Sequence, residues 1–285
     1  LQAVSYEFQS KLGNLLGKRT YQYFLVANGI IGPVLLGAAV ATFFNGSNFV
    51  VSKGNITQEA MPVISQWANG WHGLDALLDL WNVVLGLAVL FLSRCLGILY
   101  FINNVSDAEL LPRFRRRLLV EAVCFVAFFV PFVIYVLLKD GFAVDAASGS
   151  IVMESYKYFH NLMAMPWVLG LFLLGVVAVL FGLGRSILCA TYNKGIWFAG
   201  VGTVLAVLAL LLTVGYNNTA YYPSAADLQS SLTLSNSCSS LFTLKTMAYV
   251  SVFIPFVLAY IIYAWRAIDR KPITADEMKE SDHAY

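Results

Sequence analysis

The sequence predicts an all-α membrane protein, a polytopic bundle of transmembrane helices. Each of six apolar stretches has the roughly 20 residues that a helix needs to cross about 30 Å of hydrocarbon. Composition supports the same class, because 59% of the 285 residues are hydrophobic and 12% are charged, against about 25% charged in soluble proteins. The predicted spans are 21–44, 74–103, 118–138, 163–184, 196–216 and 246–266.

The connections between the spans are short, and the longest cover 45–73 and 217–245. Neither is long enough to form a large independent core. We therefore expect one transmembrane domain over residues 1–285.

Basic residues are concentrated in alternate connections, and this pattern predicts the orientation of the chain. The loop 104–117 contains four arginines, whereas 45–73 and 217–245 contain one lysine each. Lys and Arg are retained on the cytoplasmic side of a membrane. The segments predicted to be cytoplasmic are 1–20, the arginine loop, 185–195 and the C-terminal tail 267–285.

The beginning of the chain is typical of the end of a helix that is already under way. Leu1 is not a Met, and no signal-peptide pattern of a basic start, a short apolar run and a small-residue cleavage site follows it. We expect the chain to be the C-terminal part of a longer membrane protein.

Proline interrupts four of the six predicted spans, and glycine recurs beside it, as in the segment 29–37. Such residues let helices kink and approach closely. We interpret them as packing features, with a gate or an ion site as the alternative. The prolines are Pro33, Pro131, Pro166 and Pro255.

The four cysteines are too scattered to form a metal-ligand cluster. Three of them lie within or beside apolar spans, where Cys behaves as a small hydrophobe. We expect packing roles and no disulfide. The cysteines are Cys95, Cys124, Cys189 and Cys238.

Arg94 and Glu121 are two of the few charges that lie within predicted spans. Arg94 is in the second span, where an unpaired cation costs about 2.5 to 3.5 kcal/mol unless its head group reaches the interface. Glu121 lies one turn inside the third span and four residues after Arg117, so the two side chains can form an i,i+4 ion pair. Alternatively, Glu121 belongs to a proton path, because intramembrane carboxylates are often functional.

A cluster of polar residues begins the second predicted span. His72, Asp75 and Asp79 have spacings of three and four, which place them on one face of a predicted helix. Metal binding needs more ligands than this. Because carboxylates in a first turn also stabilise the positive end of a helix, capping is the favoured interpretation, and we predict no metal site.

His160 and Met163 are the remaining candidates for cofactor binding. These residue types can be axial ligands of a haem iron. The pair lies at the edge of a predicted span, whereas haem is usually held between two facing helices. We therefore treat His160 and Met163 as weak haem candidates and assign no catalytic residue.

The C-terminal third carries a series of short polar motifs before its last span. They are TyrTyrProSer at 221–224, SerLeuThr at 231–233, SerSer at 239–240 and ThrLeu at 243–244, followed by the segment 250–260 with Pro and Tyr. This series resembles subunit II of the cytochrome bd quinol oxidases. The segment 4–12 resembles that family's segment just after its third helix, so the six spans correspond to helices four to nine of nine.

The resemblance implies a function in respiration at the bacterial cytoplasmic (inner) membrane. In this family, subunit I carries haem b and haem d, and subunit II is the haem-free partner that packs against it. The chain would then have no cofactor of its own and no activity alone. The complex would oxidise quinol from the quinone pool and reduce O2 to water. We expect subunit I and membrane lipid as partners, and no nucleic acid.

The resemblance also suggests residues near the proton entrance. The C-terminal Tyr285 matches a terminal tyrosine of some relatives and, with Glu121, is a candidate for a proton path. Gln2 stands where relatives can carry an arginine beside Glu7, so no charged pair is transferred to that position.

Two other functions are compatible with six apolar spans. A secondary transporter would have kinked helices around a polar midplane and usually shows related halves, which this sequence lacks. A purely structural assembly subunit would differ from the first hypothesis only in whether Glu121 and its neighbours carry protons.

Overall fold

The computed structural model describes residues 2–9, 11, 16–52 and 64–268. Nine α-helices and two short antiparallel hairpins account for most of this part of the chain. The helices are α1 Gln2–Phe8, α2 Lys18–Asn45, α3 Leu80–Asn104, α4 Leu110–Leu138, α5 Lys157–Ala164, α6 Pro166–Leu188, α7 Gly195–Leu212, α8 Leu241–Ser251 and α9 Ile254–Ile268. The strands are β1 Phe49–Val51, β2 Ser65–Trp67, β3 Gly141–Val144 and β4 Ile151–Glu154.

Six segments are long and apolar enough to cross a membrane, which confirms the predicted fold class. They are α2, α3, α4, α6, α7 and the combined segment Leu241–Ile268. Apolar runs of this length bury every backbone hydrogen bond inside a helix, as hydrocarbon requires.

The helix boundaries differ from the predicted spans where local chemistry overrides hydropathy. Helix α4 begins at Leu110 rather than 118, because the arginine-rich segment is itself helical. Helix α3 begins at Leu80 rather than 74, since Leu74–Leu78 forms a separate 3-10 helix. Helix α6 begins at Pro166 rather than 163, with proline in the first turn, where its missing N–H costs little.

The last predicted span is interrupted within the apolar segment. Val252 and Phe253 form a turn between α8 and α9. Pro255 lies immediately after this turn, has no N–H to donate and sterically opposes a helical carbonyl four residues earlier. The break therefore has a local cause.

Antiparallel packing joins the helices into a bundle with two polar ends. Helix α3 packs between α2 and α4, and α6 packs along α7. We call the end with the segments 46–52, 64–79, 139–165 and 213–240 the cap face, and the opposite end, with the loops 105–109 and 189–194, the basic face. One apolar core near the basic face includes Leu99 and Leu118, and another near the cap face includes Phe44, Phe132 and Tyr158.

Hydrogen bonds join the three connections of the cap face to one another. The backbone N–H of Ser47 donates to Pro223 O at 3.0 Å, and the N–H of Val51 donates to Ser230 Oγ at 2.9 Å. Gln229 exchanges two hydrogen bonds with the backbone of Ile151, at 2.9 and 3.0 Å. The last connection, 213–240, therefore holds the other two together.

Glycines set the closest approaches between neighbouring helices. A Cβ added to Gly37 of α2 would lie 2.7 Å from the Cα of Gly86 in α3. A Cβ added to Gly175 of α6 would lie 2.8 Å from the backbone oxygen of Gly202 in α7. Gly29 and Gly32 have no such neighbour within 4 Å in the described structure, so close packing in α2 depends on Gly37 and not on the glycines nearest Pro33.

The contrast between two glycines of α2 gives a test of helix packing. Gly37→Ala should lower the thermal stability of the purified protein, by about 1–3 kcal/mol, because α2 and α3 must separate to admit the methyl group. Gly32→Ala makes the same chemical change in the same helix and should leave stability unchanged or slightly raised. Equal melting temperatures for the two variants would contradict the glycine contact.

Candidate functional site

Glu121 is the centre of a buried ion-pair cluster between α3 and α4. Its side chain is 1% exposed, and its Oε1 accepts from Arg117 Nε at 2.7 Å and lies 2.8 Å from Arg94 Nη2. Arg117 is one turn away on α4, which is the i,i+4 pair that the spacing allows. Arg94 reaches the same oxygen from the antiparallel helix α3.

The two arginines are much more exposed than the carboxylate that they share. The side chain of Arg94 is 41% exposed and that of Arg117 is 58% exposed. The second carboxylate oxygen of Glu121, Oε2, is buried and has no hydrogen-bond partner in the described part of the chain. We call Arg94, Arg117 and Glu121 the ion triad, and it has a formal charge of +1.

The polar residues before α3 do not share a helical face, contrary to the prediction. Asp75 lies in the 3-10 helix, and Asp79 has an extended backbone as the N-cap of α3. Asp79 Oδ1 accepts from the N–H groups of Trp81 and Asn82 at 2.8 and 3.1 Å, which is the capping role that the sequence favours. His72 precedes them with a positive φ of 50°.

Asp75 has a different set of contacts from Asp79. Its Oδ2 accepts hydrogen bonds from the side-chain amides of Asn48 and Asn69. These bonds, from Asn48 first and Asn69 second, lower the pKa of Asp75. Among the described residues, no group of three or more His, Cys, Asp or Glu side chains is placed to hold a metal ion.

His160 and Met163 lie on α5, a short helix on the cap face and outside the six apolar segments. His160 Nδ1 lies 3.5 Å from Glu154 Oε1. A spacing of three puts both side chains on one face of one helix, so they cannot approach an iron from opposite sides. This arrangement does not fit an axial pair.

The remaining candidates are spread over the chain. Tyr285 lies outside the described residues. Gln2 accepts a hydrogen bond from Asn28 Nδ2 at 3.0 Å, and Glu7 pairs with Lys11. All four cysteines are free thiols.

Arg115 has a structural role that the sequence analysis missed. Its side chain is 9% exposed and its guanidinium lies at the end of α6 and in the turn that follows. It donates to the backbone oxygens of Ser186, Cys189, Ala190 and Tyr192 and to Asn193 Oδ1. The signal was helical spacing, because Arg115 lies three and seven residues before Leu118 and Ala122, which face the core.

Lys139 has a similar role at the cap face, immediately after α4. Its Nζ donates to Phe44 O and to Asn45 Oδ1, both at 2.8 Å, at the end of α2. Tyr135 donates to the same Asn45 oxygen at 3.1 Å. Burial lowers the pKa of Lys139 to about 8, although the charges of Asp79 and Asp140 oppose this effect.

The fold and these contacts define a polytopic helical membrane protein with a few buried charges. The chain belongs to the cytochrome bd terminal oxidase subunit II family, whose family model matches residues 1–268. This confirms the resemblance seen in the sequence. Membership makes the chain an integral membrane component of a haem-containing oxidoreductase complex with at least one other subunit.

Comparison with curated proteins gives the same family. The chain is similar to the cytochrome bd-I ubiquinol oxidase subunit 2 of Escherichia coli strains K12, O6:H1 and O157:H7. In each case 24% of residues are identical over 304 aligned positions, which cover 99% of this chain and 73% of the relative.

A pair of neighbouring arginines tests whether Arg115 stabilises the fold or only contributes charge. Arg115→Gln should destabilise the protein by an amount on the order of 3 kcal/mol, because it removes a buried cation from several carbonyl oxygens. Arg116→Gln removes the same charge from an exposed side chain and should cost less than about 0.5 kcal/mol. Thermal unfolding in detergent measures both effects. Equal effects would show that Arg115 contributes only its charge to the orientation of the chain and does not stabilise the fold.

Proposed function

We propose that the chain is the haem-free subunit of a bd-type terminal oxidase and supports quinol oxidation and the reduction of O2 to water. Family membership over residues 1–268 is the observation that carries this proposal. The haems b and d would be bound by the partner, subunit I, and quinol would be the electron donor. In this proposal the chain stabilises the complex and is not catalytic alone.

The combined segment of α8 and α9 is the proposed contact surface for the rest of the complex. It has 28 residues, and none of its side chains is buried within the described chain. Each of the other five segments buries part of its most apolar window. A helix with large apolar side chains on all sides, such as Phe242, Phe256 and Trp265, gains packing contacts when a second protein covers it.

The arginine distribution supports an orientation with the basic face in the cytoplasm. The exposed residues Arg113, Arg116 and Arg117 lie at this end of α4, and basic residues are retained on the cytoplasmic side. The C-terminus of α9 is on the same face, so the tail would also be cytoplasmic. The membrane would be the bacterial inner membrane.

A proton path through Glu121 is the second part of the proposal. The buried Oε2 without a described partner is the specific observation that favours it, because this oxygen is free to accept a further hydrogen bond while Oε1 holds Arg94 and Arg117. Protons for water formation would then enter from the basic face. The alternative is that Glu121 is only a counter-ion that stabilises the packing of α3 on α4.

Assembly with a haem protein tests the main proposal. The full-length subunit, co-expressed with its genomic neighbour and purified through a tag on this subunit, should bring down a haem protein. Reduced-minus-oxidised difference spectra should show haem b and haem d, and the complex should consume O2 with quinol. Purification of this subunit without a haem-bearing partner would contradict the proposal.

Replacement of Glu121 tests the proton path within an assembled oxidase. Glu121→Gln should slow proton uptake and O2 consumption per haem several-fold, because an amide cannot carry a proton between two waters. Glu109→Gln, at the exposed start of α4, is the matched control and should have no effect. If Glu121→Gln lowers the yield or stability of the complex but not its rate per haem, Glu121 is a structural counter-ion.

A further inference from the structure

The ion triad has more hydrogen-bond donors than its own acceptors can use. Arg94 and Arg117 converge on Oε1 of Glu121. Each guanidinium has five N–H donors in a planar fork. In the described structure each arginine has one ion-pair contact, and both contacts are to the same oxygen. Several donors on each arginine therefore point away from the carboxylate.

A face of α4 next to Arg117 is apolar and exposed. Val120 and Val123, on the turns of α4 beside Glu121, are 50% and 60% exposed. Exposed valines of this kind in an apolar segment are typical of a surface that contacts lipid chains. The half-exposed guanidinium groups of Arg94 and Arg117 lie beside this surface and not in a protein core.

The triad lies on the basic-face side of the middle of both helices, α3 and α4. Arg117 lies seven residues, or about 10 Å, from the first residue of α4. Arg113 precedes it by about one turn and Arg116 by one residue, and both are exposed on the basic face. Arg94 is deeper, about 15 Å from the end of α3 at Asn104, and its long side chain reaches the level of Arg117.

A formal charge of +1 at this depth favours an anion from the membrane itself. An uncompensated arginine within the apolar layer is costly. Basic pockets between helices on the cytoplasmic side of membranes bind lipid phosphate groups, and the planar donors of arginine match phosphate oxygens in a bidentate manner. Charge, donor geometry, exposure and depth therefore point to the same ligand.

We propose that Arg94 and Arg117 bind the phosphate of an anionic phospholipid of the basic-face leaflet, with its acyl chains along the Val120 and Val123 surface. Glu121 holds the two guanidinium groups together so that their remaining donors face the lipid. This site depends only on the ion triad and its exposed surroundings, and not on whether Glu121 carries protons.

Retention of phosphatidylglycerol by the assembled oxidase tests the proposal. The complex is placed in phosphatidylcholine nanodiscs with a small fraction of phosphatidylglycerol, and bound lipid is counted by native mass spectrometry. Arg117→Gln should lower the affinity for phosphatidylglycerol about fivefold, the effect expected for one basic residue at a membrane surface. Arg116→Gln removes the same charge one residue away and should retain the lipid as the wild type does.

Further variants separate lipid binding from folding. Arg117→Lys keeps the charge but loses the planar pair of donors, so it should bind less tightly than the wild type and more tightly than Arg117→Gln. Glu121→Gln removes the competing anion and should bind phosphatidylglycerol at least as tightly as the wild type. Equal retention by Arg117→Gln and Arg116→Gln would overturn the proposal, as would failure of the wild type to prefer phosphatidylglycerol. Displacement of the lipid by inorganic phosphate at equal concentration would also overturn it.

Discussion

Hydrocarbon provides no water to the backbone, and this constraint determines where the bundle places its polar side chains. In the interior of a helix every backbone carbonyl accepts a hydrogen bond from an N–H of the same helix. The carbonyls of the last turn have no such partner. Three helices receive a side chain from another element at this point. Lys139 donates to Phe44 O at the end of α2, Asn161 donates to Thr213 O just after α7 at 2.8 Å, and Arg115 donates to Ser186 O in α6. Buried polar side chains thus satisfy carbonyl oxygens that the helix ends leave without a backbone partner.

These end contacts also fix how the helices pack in the bundle. Lys139 can reach Phe44 only if α2 and α4 end at the same height on the cap face, and Arg115 can reach Ser186 only if α4 begins where α6 ends. Apolar packing alone does not fix how far one helix is shifted along its axis against another, because one aliphatic face packs about as well as another. Directional contacts at both faces, together with the close approach at Gly37, therefore select one arrangement among many apolar ones.

Hydropathy predicted the six spans because length and apolar composition are sufficient to define them. It could not predict the helix start at Leu80, since the extended backbone at Asp79 breaks a run that looks continuous. Within the candidate site, helical spacing allowed the pair of Glu121 with Arg117. The contact with Arg94 depends on how α3 and α4 are aligned along their axes. No local sequence pattern indicates this alignment.

Several of the residues on which the family resemblance rests have the same structural role, which is to form hydrogen bonds in the last connection. Ser224, Ser231 and Ser240 are donors or acceptors in the last connection: Ser224 Oγ donates to Phe49 O, Ser231 Oγ accepts from the Ser224 N–H at 3.0 Å, and Ser240 accepts from the Thr243 N–H as the N-cap of α8. Each such bond needs a short polar side chain at one position. A lipid-facing position accepts any apolar residue of suitable size, so the spans resemble the family mainly by hydropathy, whereas the last connection resembles it through short polar motifs.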